Sequence, residues 1–149
     1  MTHRPSSTFS IGSRRIGPNE PTYFIADVAA NHDGSLDRAR ELIRLAAAAG
    51  ADAAKFQHFS ASTIVSDRGF RDLGSQQSHQ AKWKKSVLQV YQEASLNIDW
   101  TPVLKKECDD AGITFFTSPY SFALVDEVDK YVPAYKVGSG DITWTDIIR

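Results

Sequence analysis

With one cysteine in 149 residues, this chain has no internal disulfide to staple it, so a packed core must hold it and a reducing compartment suits it. Cys108 itself stands in the run Lys105-Lys106-Glu107-Cys108-Asp109-Asp110, the setting of an ordinary helix. No apolar stretch approaches the roughly 18 residues of a membrane span. The opening Met1-Thr2-His3-Arg4-Pro5-Ser6 also lacks the apolar middle of a secretion signal. The expectation is a soluble, cytoplasmic protein without a membrane partner. Net charge is missing too: 17 basic side chains against 18 acidic ones leave -1, with no basic stripe for nucleic acid. The run Lys82-Trp83-Lys84-Lys85 reads as the solvated side of a helix whose Trp83, Val87, Val90 and Tyr91 face inward. Glycine-rich nucleotide motifs are absent as well. After the first buried-type strand stands Ala29-Ala30-Asn31-His32-Asp33-Gly34 rather than Gly-x-Gly-x-x-Gly, and no P-loop occurs.

What is present is an alternation of strands and helices. Residues 1–21, with Gly12, Gly17, Pro18 and Pro21 around short apolar pieces, read as a lead-in hairpin, and residues 22–149 as one α/β unit. Residues 23–30 are nearly continuous in apolar side chains, as in a strand buried on both faces. Ser35 caps a helix over 36–49, whose Leu36, Ala39, Leu42, Ile43 and Ala46 share one face, and Gly50 stops it. A strand over 52–57 follows at once, which completes a βαβ unit. A long excursion then leads to a helix over about 80–93. A second helix starts near Asp99, with Pro102 in its first turn and Gly112 past its end, and feeds a strand over 113–118 that Pro119 ends. A short helix over 122–129 and a fourth strand over 134–139 complete the pattern. Such alternation argues a parallel sheet without separating a barrel from an open, doubly wound one.

Each expected strand carries a polar or ionisable residue in or just after its C-terminal part: Asp27, Lys55, Thr117 with Ser118, and Lys136. Asn31, Gln57, Ser139 and Asp141 extend the pattern into the following loops. In a (β/α)8 TIM barrel those strand ends and loops build the active site. A lysine inside an apolar strand is costly unless an anion answers it, and here the placement occurs twice. Two cations facing one cavity suggest a small polyanionic substrate.

Phe24-Ile25-Ala26-Asp27 with Asn31-His32-Asp33-Gly34, then Gly50-Ala51-Asp52-Ala53-Ala54-Lys55-Phe56-Gln57, resembles the opening of N-acetylneuraminate (sialic acid) synthases. Phe116-Thr117-Ser118-Pro119 and the stretch from Val132 to Thr143, with Lys136-Val137-Gly138-Ser139-Gly140-Asp141 at its centre, resemble the family's third- and fourth-strand motifs. The likeness runs from about Phe9 to Arg149. It implies the first four or so βα units of a TIM barrel, and a synthase that condenses phosphoenolpyruvate with N-acetylmannosamine or a related N-acyl amino sugar, releasing phosphate. It also implies a divalent metal, manganese or magnesium, whose histidine ligands lie on later strands; none of His3, His32, His58 or His79 occupies those positions, so no metal ligand is assigned. By the same resemblance Lys55, Thr117, Lys136 and Ser139 cradle phosphoenolpyruvate, Gln57 and Asn31 meet the sugar, and Asp27, Lys55, Lys136 and Asp141 are the catalytic set. Many relatives carry glutamate at the position of Asp27 and some at that of Asp141, so the acceptor sugar is expected to differ.

Plainer roles stand beside these. Asp27 also suits an ion pair with Lys55, His32 a hydrogen bond within its own turn, and Thr117-Ser118-Pro119 a simple strand end. A whole barrel takes about 250 residues, so we expect an N-terminal half, a fragment or truncated product that turns over no substrate alone. A homodimer or a missing C-terminal half would cover its open edges. Two rival functions follow: a non-catalytic half-barrel that binds a partner or phosphoenolpyruvate only, and an aldolase using a Schiff-base lysine.

Overall fold

The computed structural model describes residues 7–72 and 83–149. A two-stranded antiparallel hairpin, β1 (Phe9–Ile11) and β2 (Arg14–Ile16), leads in, its turn made at Gly12 with φ +58°. The body is a parallel sheet of β3 (Ile25–Ala29), β4 (Ala53–His58) and β5 (Thr114–Pro119), hydrogen-bonded in chain order. Helix α1 (Leu36–Ala48) joins β3 to β4, and α5 (Thr101–Asp110) precedes β5. Between β4 and α5 lie α2 (Ala61–Ile64), α3 (Asp67–Asp72) and α4 (Val87–Ala94). After β5 come α6 (Phe122–Val128) and α7 (Thr145–Ile148).

The caps explain the helix ends. Ser35 Oγ accepts the Arg38 N–H at the start of α1, and Gly50 at φ +85° follows its end. Helix α4 begins at Ser86 through a capping box with Gln89. It therefore starts later than the sequence pattern suggests: residues 83–86 are not helical, and 80–82 lie outside the described residues. Val28, Ala54, Phe56 and Phe115 of the sheet pack against Ala39 and Ile43 of α1 and Leu104 and Cys108 of α5. Arg40 and Arg44 of α1 each donate to one oxygen of Glu107 on α5 at 2.7 Å, tying the two helices across their outer edges. Burial among these apolar groups pushes the Cys108 thiol up to about 12, so it stays protonated and inert at neutral pH.

The fourth strand expected over 134–139 does not form. Only an isolated parallel bridge joins Thr117 to Tyr135, with the Lys136 N–H donating to the Thr117 carbonyl at 3.0 Å. The physical reason is local: Gly138 to Trp144 turn back on themselves through Asp141 N–H to Gly138 O and Trp144 N–H to Asp141 O bonds. Those turns end any extended run after one bridge. No helix among the described residues is long and apolar enough to cross a membrane.

Candidate active site

Alternation along the strands divides the sheet into two faces. Phe56 and Phe115 define the helix-facing side, so Lys55, Gln57, Phe116 and Ser118 point to the other. Parallel register places Asp27 beside Lys55, Lys55 beside Phe116 and Gln57 beside Ser118. Because Tyr135 bridges Thr117, the next residue, Lys136, falls on the same side as Ser118. Both lysines thus belong to one face of the sheet.

Lys55 is buried, 4% exposed, and its Nζ lies 2.7 Å from Asp27 Oδ1. The Asp27 side chain itself is 64% exposed, so the pair buries its cation and leaves one carboxylate oxygen to solvent. A register shift between Asp27 and Ala29, with Ala29 at φ +50°, sets this end of β3. Such bulges re-aim neighbouring side chains. Asn31, by contrast, is spent locally: its side-chain amide donates to the Val28 carbonyl at 3.0 Å, and the residue is exposed in the turn after β3.

Beyond the strand ends lies a cleft of about 620 Å³, lined among others by Gln57, Tyr120, Lys136, Ser139, Asp141 and Trp144. Four expected site residues, Gln57, Lys136, Ser139 and Asp141, meet there. Neither Lys136 nor Asp141 has an ion-pair partner within 4 Å among the described residues. Gly138 forms part of the wall in close contact with its neighbours: a Cβ there would stand 2.5 Å from Asp141 Oδ2, which would have to move, and 3.2 Å from the Tyr120 ring. A neighbouring cleft of about 440 Å³ shares Lys136, Gly138 and Asp141 but is otherwise walled largely by Val125, Val137, Ile147 and Ile148.

Thr117 is the exception. It is fully buried on the helix side, its hydroxyl 2.7 Å from His58 Nδ1, while His58 Nε2 lies 2.9 Å from Thr101 Oγ1. One ring nitrogen donates to one threonine and the other accepts from the second. Desolvation, with His32 nearby, drives His58 down to about 4, so the ring is neutral at pH 7. On the face of β5 shared with Gln57 stands instead Ser118, behind the residues that line the cleft, fully buried and with an Oγ that has no hydrogen-bond partner. A buried hydroxyl without a partner is uncommon and invites a ligand or water.

Sequence reasoning named Ser118 beside Thr117 but gave the ligand role to Thr117 alone, because Phe115 and Phe116 are both apolar and alternation on β5 has no visible phase. Tyr120 was missed because it follows a strand-ending proline; its hydroxyl accepts from Gln57 Nε2 at 3.1 Å, and burial raises its pKa, with Asp141 and Asp27 adding to the effect. His32 sits fully buried in the turn after β3, its Nδ1 accepting the Gly34 N–H at 3.1 Å and its ring edge-on to Trp100. Burial lowers its pKa as well. His3 and His79 lie outside the described residues, within which no three His, Cys, Asp or Glu side chains converge to hold a metal ion.

The family model for NeuB matches residues 42–149. The chain is 31% identical over 129 residues to human N-acetylneuraminate-9-phosphate synthase, covering 86% of this chain and 35% of that protein. It is 31% identical over 123 residues to N,N'-diacetyllegionaminic acid synthase of Campylobacter jejuni, covering 82% and 36%. Among solved structures, the N-acetylneuraminic acid synthetase of Leptospira borgpetersenii, in complex with citrate, superposes with a TM-score of 0.75 at 25% identity, covering 95% of this chain and 44% of that one. The chain thus spans a little over a third of the length of the curated relatives it matches. Sheet order, strand-end polar residues and these matches agree: the chain belongs to the NeuB family.

Proposed function

We propose that this chain supplies the phosphoenolpyruvate-binding part of a sialic-acid-type synthase, built as the first βα units of a TIM barrel. The observation that carries the reading is the cleft at the strand ends, where the ammonium of Lys136, without an ion-pair partner among the described residues, stands with Ser139, Gln57 and Asp141. Phosphoenolpyruvate presents a carboxylate and a phosphate, and a partly desolvated ammonium with hydroxyl donors is the chemistry that holds both. Ser118 Oγ, without a partner and on the same face, adds the hydroxyl first expected from Thr117. The Leptospira relative binds citrate, another multiply anionic small molecule.

In this reading C3 of phosphoenolpyruvate attacks the aldehyde carbon of an N-acyl amino sugar and forms the new C–C bond. The aldehyde oxygen takes up a proton, water adds at C2 and gives one up, the bond from C2 to the bridging phosphate oxygen breaks, and phosphate leaves. Lys136 and the serine hydroxyls orient the anionic end, Gln57 meets the sugar, and Asp141 takes the proton of the added water. Lys55 keeps Asp27 at the rim through their 2.7 Å pair, with the second Asp27 oxygen free for a ligand. A manganese or magnesium ion belongs to the proposal for the whole protein, with ligands outside this chain; the described residues do not fit one, and no step above runs through it. Cytoplasmic location, and a homodimer or the remaining barrel as partner, belong to the same reading.

The test is phosphoenolpyruvate binding followed by phosphorus NMR. Binding that weakens at least about tenfold in Lys136→Ala, the order expected for a lost charge-assisted contact, supports the reading. Equal affinity of the wild type and Lys136→Ala overturns it. Borohydride trapping with pyruvate that labels Lys136 or Lys55 would instead favour the Schiff-base aldolase.

A further inference from the structure

The cleft has a second wall that anion binding does not use. Ile64 of α2, Tyr91 of α4 and Trp144 line the same space as Lys136, Gln57 and Asp141. Trp144 is braced by Phe122, ring centroids 5.2 Å apart and 75° between planes, so its indole is held as a ledge. Aromatic and aliphatic surface beside convergent amide, hydroxyl and carboxylate groups is the composition that receives a hydroxylated ring bearing an apolar substituent. A phosphate or a carboxylate gains nothing from such a wall.

Gln57 lines the cleft, and its Nε2 donates to Tyr120 Oη at 3.1 Å, which leaves Oε1 as an acceptor. A free amide oxygen next to an apolar ledge complements an N–H that carries an acyl methyl. We propose that Tyr120 is a positioning residue that orients Gln57 toward the amide N–H of the acceptor sugar, and that Trp144, with Tyr91 and Ile64, receives the acyl group and selects for it. The synthase reading identifies the ligand as a sugar; the wall and the hydrogen bond identify which substituent is read.

The chain has three tryptophans, so its indole N–H signals form a small set, and Trp144→Phe assigns the one of interest. We expect N-acetylmannosamine to move the Trp144 indole signal, and mannose, which lacks the acylamino group, to require at least about tenfold higher concentration, the usual order for one lost polar contact plus an apolar group. Tyr120→Phe should weaken N-acetylmannosamine severalfold and leave phosphoenolpyruvate affinity, read by phosphorus NMR, unchanged. A Trp144 signal that stays still at saturating N-acetylmannosamine, or that answers mannose equally, overturns the proposal. So does a Tyr120→Phe variant that loses both ligands to the same degree, since that is the mark of a merely structural role. Failure of the anion reading looks different: phosphoenolpyruvate then leaves the phosphorus spectrum unchanged while the sugar still moves Trp144.

Discussion

The two faces of the same three strands follow opposite rules. On the helix side, Phe56, Phe115, Ala54 and Val28 are buried against α1 and α5, and the polar side chains present, His58 and Thr117, satisfy each other. On the other side the same strands carry Lys55, Gln57 and Ser118, and there a buried hydroxyl goes without a partner. On the first face His58 and Thr117 spend their polar atoms on holding the fold, whereas the second keeps the Ser118 hydroxyl in reserve. Adjacent residues in one strand can therefore differ entirely in purpose, as Thr117 and Ser118 do.

That contrast can be broken in four places. Phe115→Ala removes a ring stacked 5.7 Å from Phe56 at the centre of the helix side and should cost about 3 to 5 kcal/mol in urea unfolding; a loss below 1 kcal/mol would mean that this face is not the core. His58 comes next. Its folded pKa of about 4 lies below the ordinary 6.5, so between those values the unfolded chain binds more protons than the folded one. Stability present above pH 6.5 should drain as pH falls toward 4, by about 3 kcal/mol for a shift of this size, with burial of His32 acting in the same direction. A urea midpoint that is flat from pH 7 to 5 would show the imidazole to be accessible.

Gly138→Ala tests the cleft wall. The added methyl meets Asp141 and the Tyr120 ring, so we expect about 1 to 3 kcal/mol of destabilisation from overpacking, together with loss of sugar binding at Gln57. Unchanged unfolding and unchanged binding would show that the wall yields. Ser118→Ala should be the mildest for the fold, within about 1 kcal/mol, because it deletes a hydroxyl that bonds nothing. The same change should weaken phosphoenolpyruvate binding, and a large loss of stability without loss of binding would reverse the roles given to the two faces.

Much of this was legible in the residues. Ser35 and Gly50 bracket α1, and Pro102 and Gly112 bracket α5, because capping and φ preferences are local and survive any tertiary context. The placing of polar residues at strand ends was legible for the same reason, since strands end where turn chemistry begins. What could not be read was facing. In β5 the run Thr114-Phe115-Phe116-Thr117 is symmetric in polarity about its centre, so neither phase is favoured until register with β4 fixes it. The segment over 134–139 failed as a strand for a different reason: its composition suits one, but the turns from Gly138 onward take up the backbone groups that a ladder would need. The Gln57–Tyr120 pair, 63 residues apart, leaves no trace in local pattern at all.

His58 immediately follows Gln57, and Thr117 immediately precedes Ser118. The imidazole clasped between Thr117 and Thr101 therefore works as a bolt through the back of the wall, fastening β4, β5 and α5 at the level where the cleft opens. Rigidity at the mouth is supplied from behind, with no donor or acceptor of the front surface enlisted to provide it. Acid strong enough to charge that ring would loosen the frame of the cleft from behind.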